Sequence, residues 1–144
     1  EVLKEAADRE ISNFQYVGEL GTKDYINFIK AADIGFISLS EYHTAHNFPG
    51  KLLGYMEAGL PIIGFVNKGN DLYDLINQSA SGCLKYHPQV SQVSSFLNDF
   101  IQKSDERLRQ SQNSRNLGIS LFSVTNASSS ILELLGLNED SYNK

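Results

Sequence analysis

Residues 48–51 combine features that could bind a phosphate group. The segment reads Phe48-Pro49-Gly50-Lys51 and follows a polar run that begins at Glu41. Pro49 favours the first turn of a helix, because its missing N–H would have no partner within the helix there. Free backbone N–H groups and the positive end of the helix dipole attract anions at such a position, and Lys51 adds a full positive charge. The segment therefore predicts a phosphate site, with a purely structural helix start as the alternative.

The residues that follow predict the elements that hold this segment in place. Apolar side chains recur at helical spacing at Leu52, Leu53, Tyr55 and Met56. Gly59 ends this helix, because glycine tolerates a left-handed backbone, and Pro61 prevents its continuation. The apolar run 62–66 then predicts a buried strand.

The rest of the chain alternates between the patterns of strands and helices. Helices are predicted over 2–9, 22–32, 71–77, from Pro88 onward and over 126–135, and strands over 14–17, 34–39 and 82–86. Thr22 is the predicted cap of the second of these helices, and Asn70-Asp71 lies at the start of the third. The polar segment 103–116 is predicted to be exposed to solvent, with a break at 121–124. This order is typical of a doubly wound α/β fold, a parallel sheet with helices on both faces. Ligands bind such sheets at the carboxyl ends of the strands, which places the loops 18–21, 40–47 and 67–71 around one crevice.

Length, composition and charge exclude several classes of protein and of partner. A chain of 144 residues fits one domain, and no apolar run approaches the roughly 20 residues of a membrane-spanning helix. The net charge of −5 and the pI of about 5.1 argue against nucleic acid as a partner, since binding to phosphate backbones needs clustered Lys and Arg. The single cysteine, Cys83, can form no disulfide within the chain, which favours a reducing cytoplasm.

The sequence offers little for a metal ion. His43 and His46 are three residues apart but lie in a predicted loop without a neighbouring group of Cys or carboxylates. No Asp-x-Asp motif occurs, and Mg²⁺ that bridges a nucleotide diphosphate needs such carboxylates. We therefore expect neither a metal nor another cofactor.

The stretch 43–65 resembles the donor-binding core of retaining glycosyltransferases of the GT-B fold, family 4. In that family a loop with a Glu-x-Phe-Gly pattern precedes a helix that carries a second Glu and ends in a Gly-x-Pro turn, and the matching residues here are Phe48, Leu52, Met56, Gly59 and Pro61. The Phe48–Lys51 segment is also similar to the Phe-Pro-x-Lys variant of bacterial polysaccharide glycosyltransferases, and Phe122-Ser123 matches an element before the family's final helix. The two family glutamates fall on His46 and Gly54, so both carboxylates are absent.

The resemblance implies which residues bind a nucleotide sugar. The backbone of Gly18, Glu19 and Leu20 would hold the base, and the helix start would hold the diphosphate and sugar through Asn47, Phe48, Pro49, Gly50 and Lys51. Lys51 and His46 are the catalytic candidates: Lys51 would stabilise the leaving diphosphate, and His46 occupies the position of the carboxylate near the transferred sugar. A loop histidine without a role is the alternative for His46.

Glu57 is the candidate for the ribose contact that the family makes from the position of Gly54. It lies three residues further along the same predicted helix, and a carboxylate can accept two hydrogen bonds from a ribose diol. A solvated helix residue without a ligand is the alternative.

The leading hypothesis is a Rossmann-like donor domain of a retaining hexosyl or amino-sugar transferase that builds a bacterial surface polysaccharide such as O-antigen or capsule. The resemblance implies a UDP- or GDP-sugar donor, for example an N-acetylfucosamine, and a saccharide or lipid-linked acceptor bound by an N-terminal domain. It implies that residues 1–144 lack that domain and the opening strand of their own, so that they transfer no sugar alone. We expect a cytoplasmic protein, with peripheral contact at the inner face of the cytoplasmic membrane as a further option.

Two alternatives remain open. One is a non-catalytic ligand-binding or regulatory α/β module. A receiver domain would need acidic residues clustered at the end of the first strand and a phosphorylatable Asp at the end of the third, and no such set follows the predicted strands. The other is a nucleotide-sugar epimerase of similar fold.

Overall fold

The computed structural model describes residues 2–42 and 48–136. Along these residues the elements are α1 (Val2–Asp8), α2 (Thr22–Lys30), β1 (Gly35–Ser38), α3 (Lys51–Ala58), β2 (Ile62–Val66), α4 (Asp71–Gln78), β3 (Gly82–Tyr86), α5 (Val90–Gln102), α6 (Ser104–Phe122) and α7 (Val124–Leu134). The helix predicted at the start of the chain and the strand–helix order from β1 to α5 are confirmed.

The three described strands form one parallel sheet in the order β1-β2-β3. Every residue of β2 is buried, as expected for the middle strand of a parallel sheet that is covered on both faces. Gly64 lets β1 approach β2 closely, because a Cβ atom at this position would lie 1.7 Å from the backbone oxygen of Ile37.

Helices cover both faces of the sheet, which confirms the predicted α/β fold class. On one face α3 and α4 bury Leu52, Met56, Leu72 and Ile76 against Ile37, Ile62, Val66 and Leu84. On the other face α5 places Phe96 against Phe65, with ring centroids 5.6 Å apart. The sheet is thus the middle layer, and its carboxyl edge is the surface to which the loops after β1, β2 and β3 belong.

The strand predicted over 14–17 is wrong. The chain there forms no regular secondary structure, and Phe14, Tyr16 and Val17 are all exposed and pair with no strand among the described residues. Strand propensity alone is insufficient, because a strand needs a neighbour for its backbone hydrogen bonds.

The polar segment 103–116 forms most of α6, and it is largely exposed, as predicted, but part of it is buried. The Ser114 side chain is fully buried, and Ser111 donates a hydrogen bond to the backbone oxygen of Gly59 at the end of α3. Small residues let α6 pack closely on α3: a Cβ atom at Gly118 would lie 2.8 Å from Cβ of Met56. Polar but small side chains therefore give this helix a buried face without hydrophobic periodicity.

Some of the residues predicted to cap or end helices do so in the structure. Gly59 has φ of 70° and ends α3, and the Asn70 side chain accepts a hydrogen bond from the backbone N–H of Leu72 at the start of α4. The N-cap of α2 is Gly21, with Thr22 as the first helical residue. Ser123 caps α7, so the last helix begins at Val124.

Candidate functional site

The N-terminus of α3 presents backbone N–H groups to a ligand. Gly50 is its N-cap residue and has no side chain that could cap the helix. Pro49 lies one residue earlier, and its backbone oxygen accepts a hydrogen bond from the N–H of Leu52 at 2.9 Å. The first N–H groups of a helix have no partner within it, and both Gly50 and Lys51 are exposed. The predicted phosphate-binding segment 48–51 is thus an accessible helix start with a lysine in its first turn.

An aromatic contact packs a residue just before this helix start against the end of α6. Phe48 meets Phe122 at the end of α6 edge to face, with ring centroids 6.2 Å apart. The next residue, Ser123, accepts a hydrogen bond from the N–H of Asn126 at 3.0 Å and so starts α7. The Phe122-Ser123 pair therefore joins the end of α6 to the candidate site.

A hydrogen-bonded series joins the loops that follow β1, β2 and β3. Asn67 Nδ2 donates to the backbone oxygen of Glu41 at 3.3 Å, and Asn67 Oδ1 lies 3.2 Å from His87 Nε2. Glu41 belongs to the loop that leads toward the start of α3. Sequence reasoning missed both Asn67 and His87 as site residues. The available signal was their position, since each is the first residue after a strand.

The loop 18–20 contributes to a separate cavity of about 270 Å³. Gly18 and Leu20 line it together with Tyr25 of α2 and Tyr55 of α3. Burial, and secondarily the nearby Tyr25, raises the pKa of Tyr55, so its hydroxyl stays protonated and is oriented toward the backbone oxygen of Phe36 at 3.4 Å. Glu19 is exposed, and among the described residues no hydrogen bond or ring contact joins loop 18–20 to segment 48–51.

Glu57 and Gly54 lie on different sides of α3. Glu57 is exposed and lines a groove of about 480 Å³ between α3 and α6, which it shares with Arg115. Gly54 instead faces α2, where an added Cβ atom would lie 3.1 Å from Oη of Tyr25. The side of α3 at Gly54 is therefore filled by α2. Lys51 and Glu57 are six residues apart, a rise of about 9 Å along the helix.

A further cavity of about 390 Å³ lies on the opposite face of the sheet, between β3 and α5. Its lining includes Cys83, Lys85 and Phe96. Burial raises the pKa of the Cys83 thiol, and the opposing effect of Lys85 is smaller. Cys83 is thus a protonated, poorly nucleophilic thiol at neutral pH.

The structure provides no candidate metal centre in residues 2–42 and 48–136, where no group of three or more His, Cys, Asp or Glu could hold an ion. His43, His46 and Asn47 lie outside the described residues. In the same two ranges no helix is long and apolar enough to cross a membrane.

Comparison with known proteins supports the fold. The chain matches no family model and no curated protein sequence. Among solved structures it is similar to HepE from Anabaena, which was crystallised in complex with UDP-glucose, with a TM-score of 0.67 and 16% sequence identity. The match covers 94% of this chain and 35% of HepE, so the chain spans about a third of that protein's length. At this identity the similarity establishes a shared Rossmann-like α/β fold.

Proposed function

We propose that this chain is the nucleotide-sugar-binding domain of a GT-B glycosyltransferase, with the diphosphate at the start of α3. The observation that carries the proposal is the exposed N-terminus of α3, with Gly50 as its N-cap residue and Lys51 in its first turn, next to the carboxyl edge of the sheet. Two further observations support it: the Phe48–Lys51 segment resembles that of bacterial polysaccharide glycosyltransferases, and HepE, which has the same fold, binds UDP-glucose.

The chemistry of this site is electrostatic. Backbone N–H groups at the helix start and the Lys51 ammonium group would stabilise the negative charge that develops on the diphosphate as the bond to the sugar breaks. The acceptor hydroxyl would be positioned by other parts of the full enzyme, as in a retaining transferase that extends a surface polysaccharide. We keep His46 as the residue near the transferred sugar and the loop 18–20 as the base site.

Glu57 is proposed as the ribose contact. Its carboxylate is exposed, and no ion pair with Arg115 occurs among the residues that the structure describes. Because Gly54 faces Tyr25, a ribose that meets Glu57 would lie on the α6 side of α3. Glu57→Ala should then weaken nucleotide binding, whereas an affinity within about twofold of the parent would identify Glu57 as a solvated residue.

Binding of UDP, GDP and their glucose and mannose conjugates to the chain tests the proposal. A ligand at 100 times its dissociation constant should stabilise the fold by about 2.7 kcal/mol, which a thermal melt detects readily. Isothermal titration then compares the parent with Lys51→Ala, for which we expect about tenfold weaker binding, or 1.4 kcal/mol.

Lys30→Ala is the matched control, because Lys30 is an exposed lysine in the last turn of α2. Equal loss of affinity in both lysine variants would indicate a general charge effect and would remove the diphosphate from the start of α3. Absence of binding by UDP, GDP and all of their sugar conjugates would refute the proposed function itself.

A further inference from the structure

The hydrogen-bonded series Glu41–Asn67–His87 crosses the carboxyl edge of the sheet. Its members follow β1, β2 and β3 in turn, and the two contacts measure 3.3 Å and 3.2 Å. Asn67 is half-buried, whereas Glu41 and His87 are exposed. One amide side chain therefore connects the loop that leads to the start of α3 with the loop after β3.

The backbone oxygen of Glu41 determines the direction of both hydrogen bonds. The backbone oxygen of Glu41 can only accept, so the NH₂ group of Asn67 must face it. The amide oxygen of Asn67 then faces His87, and this oxygen can also only accept. His87 must therefore carry a proton on Nε2. In the neutral imidazole the other nitrogen, Nδ1, is then an acceptor with a lone pair.

His87 Nδ1 has no hydrogen-bond partner in the part of the chain that the structure describes. It lies on the same edge as the start of α3, at the end of a strand two positions from β1. The ends of β1 and β3 are two strand spacings apart, or about 10 Å, which is comparable to the length of a sugar diphosphate. A ligand whose diphosphate lies at the start of α3 can thus extend its sugar toward this acceptor.

We propose that His87 Nδ1 accepts a hydrogen bond from a hydroxyl group of the donor sugar, and that Asn67 is the residue that positions the imidazole. This inference rests on the proposed nucleotide-sugar function. In the neutral imidazole Nδ1 accepts, so the ligand group that meets it is a hydrogen-bond donor, which a sugar hydroxyl is and a fully ionised phosphate oxygen is not. His87 would therefore contribute to recognition of the sugar and not of the diphosphate.

Two substitutions at the same position separate the two imidazole nitrogens. The amide of His87→Gln reaches the place of Nε2 and can keep the contact with Asn67, but it removes the acceptor at Nδ1. The shorter amide of His87→Asn places an acceptor close to the position of Nδ1 and gives up the Asn67 contact. Because His87 is exposed, neither variant should disturb folding, and a thermal melt of each variant checks this.

The experiment is isothermal titration of UDP and UDP-glucose into the parent and both variants. We expect His87→Gln to weaken UDP-glucose binding by about threefold to tenfold, which is the range of a single hydrogen bond, while UDP binding stays within about twofold. His87→Asn should retain most of the UDP-glucose affinity.

Three results would overturn the inference in distinguishable ways. Unchanged UDP-glucose binding in His87→Gln would show that Nδ1 makes no sugar contact, while the proposed function stands. Equal weakening of UDP and UDP-glucose would place His87 at the base or the diphosphate. If the parent binds neither ligand, the proposed function fails, and this inference fails with it.

Discussion

Two glycines inside helices provide a matched test of the packing that holds α3 in place. Gly118 lies in α6 and Gly54 lies in α3, and alanine favours the interior of either helix over glycine. Their surroundings differ. A Cβ atom at Gly118 would lie 2.8 Å from Cβ of Met56, whereas one at Gly54 would lie 3.1 Å from Oη of Tyr25 and 3.2 Å from Cδ1 of Ile29.

The expected stability changes follow from these neighbours. Helix propensity contributes about 1 kcal/mol in favour of alanine at both positions. At Gly118 the added methyl group meets an atom next to the backbone of α3, so the helices must separate, and overpacking of this kind costs about 1–3 kcal/mol. At Gly54 the nearest atoms are the ends of flexible side chains that can shift by a few tenths of an ångström. Gly118→Ala should therefore destabilise the fold, and Gly54→Ala should leave it unchanged or slightly more stable.

Urea denaturation of the parent and the two variants measures this difference directly. We expect the free energies of unfolding of Gly54→Ala and Gly118→Ala to differ by about 1–3 kcal/mol, with parallel transition slopes. A Gly118→Ala variant as stable as Gly54→Ala would refute the close approach of α6 to α3. It would also undermine the contact between Phe122 and Phe48 that borders the candidate site.

Three further outcomes are expected. Asn77→Ala should destabilise the fold by about 1–3 kcal/mol in the same assay, because the backbone N–H and oxygen of buried Leu84 lose the hydrogen bonds that Asn77 makes to them at 3.0 and 3.1 Å. Asn113→Ala, which loses one exposed hydrogen bond, is the control and should change stability less. Nucleotide affinity should change by less than about twofold on addition of EDTA, and a loss of more than about tenfold would reveal a metal site. Iodoacetamide should modify Cys83 more slowly than free cysteine at neutral pH, since a raised thiol pKa leaves less thiolate, and the rate of modification should still rise above pH 9.0. Faster modification than that of free cysteine would contradict the raised pKa.

The central part of the fold could be predicted from local sequence signals because those signals agree with the tertiary structure. Gly59 and Pro61 mark the end of α3, the apolar run 62–66 coincides with β2, and Asn70 caps α4 as expected. Each of these features depends on a backbone requirement or on burial of a whole segment, both of which are visible in the residues themselves.

Other parts of the fold and of the site depend on tertiary contacts that cannot be recognised in the sequence. Phe14–Val17 has the composition of a strand but no neighbouring strand in the described structure, and α6 buries small polar residues that lack hydrophobic periodicity. At the site, the predicted helix start is present, but the direction of Gly54 toward Tyr25 depends on how α2 packs. The Asn67–His87 contact joins residues 20 positions apart that only the sheet brings together.

Backbone amide NMR of the chain during titration with UDP-glucose tests the central claim most directly. If the diphosphate binds at the start of α3, the largest shifts should occur at the N–H groups of Gly50 and Lys51, and they should saturate with a single dissociation constant. Shifts confined to other surfaces, such as the cavity at Cys83 and Phe96, or the absence of saturable shifts, would contradict the assignment of this chain as a nucleotide-sugar-binding domain.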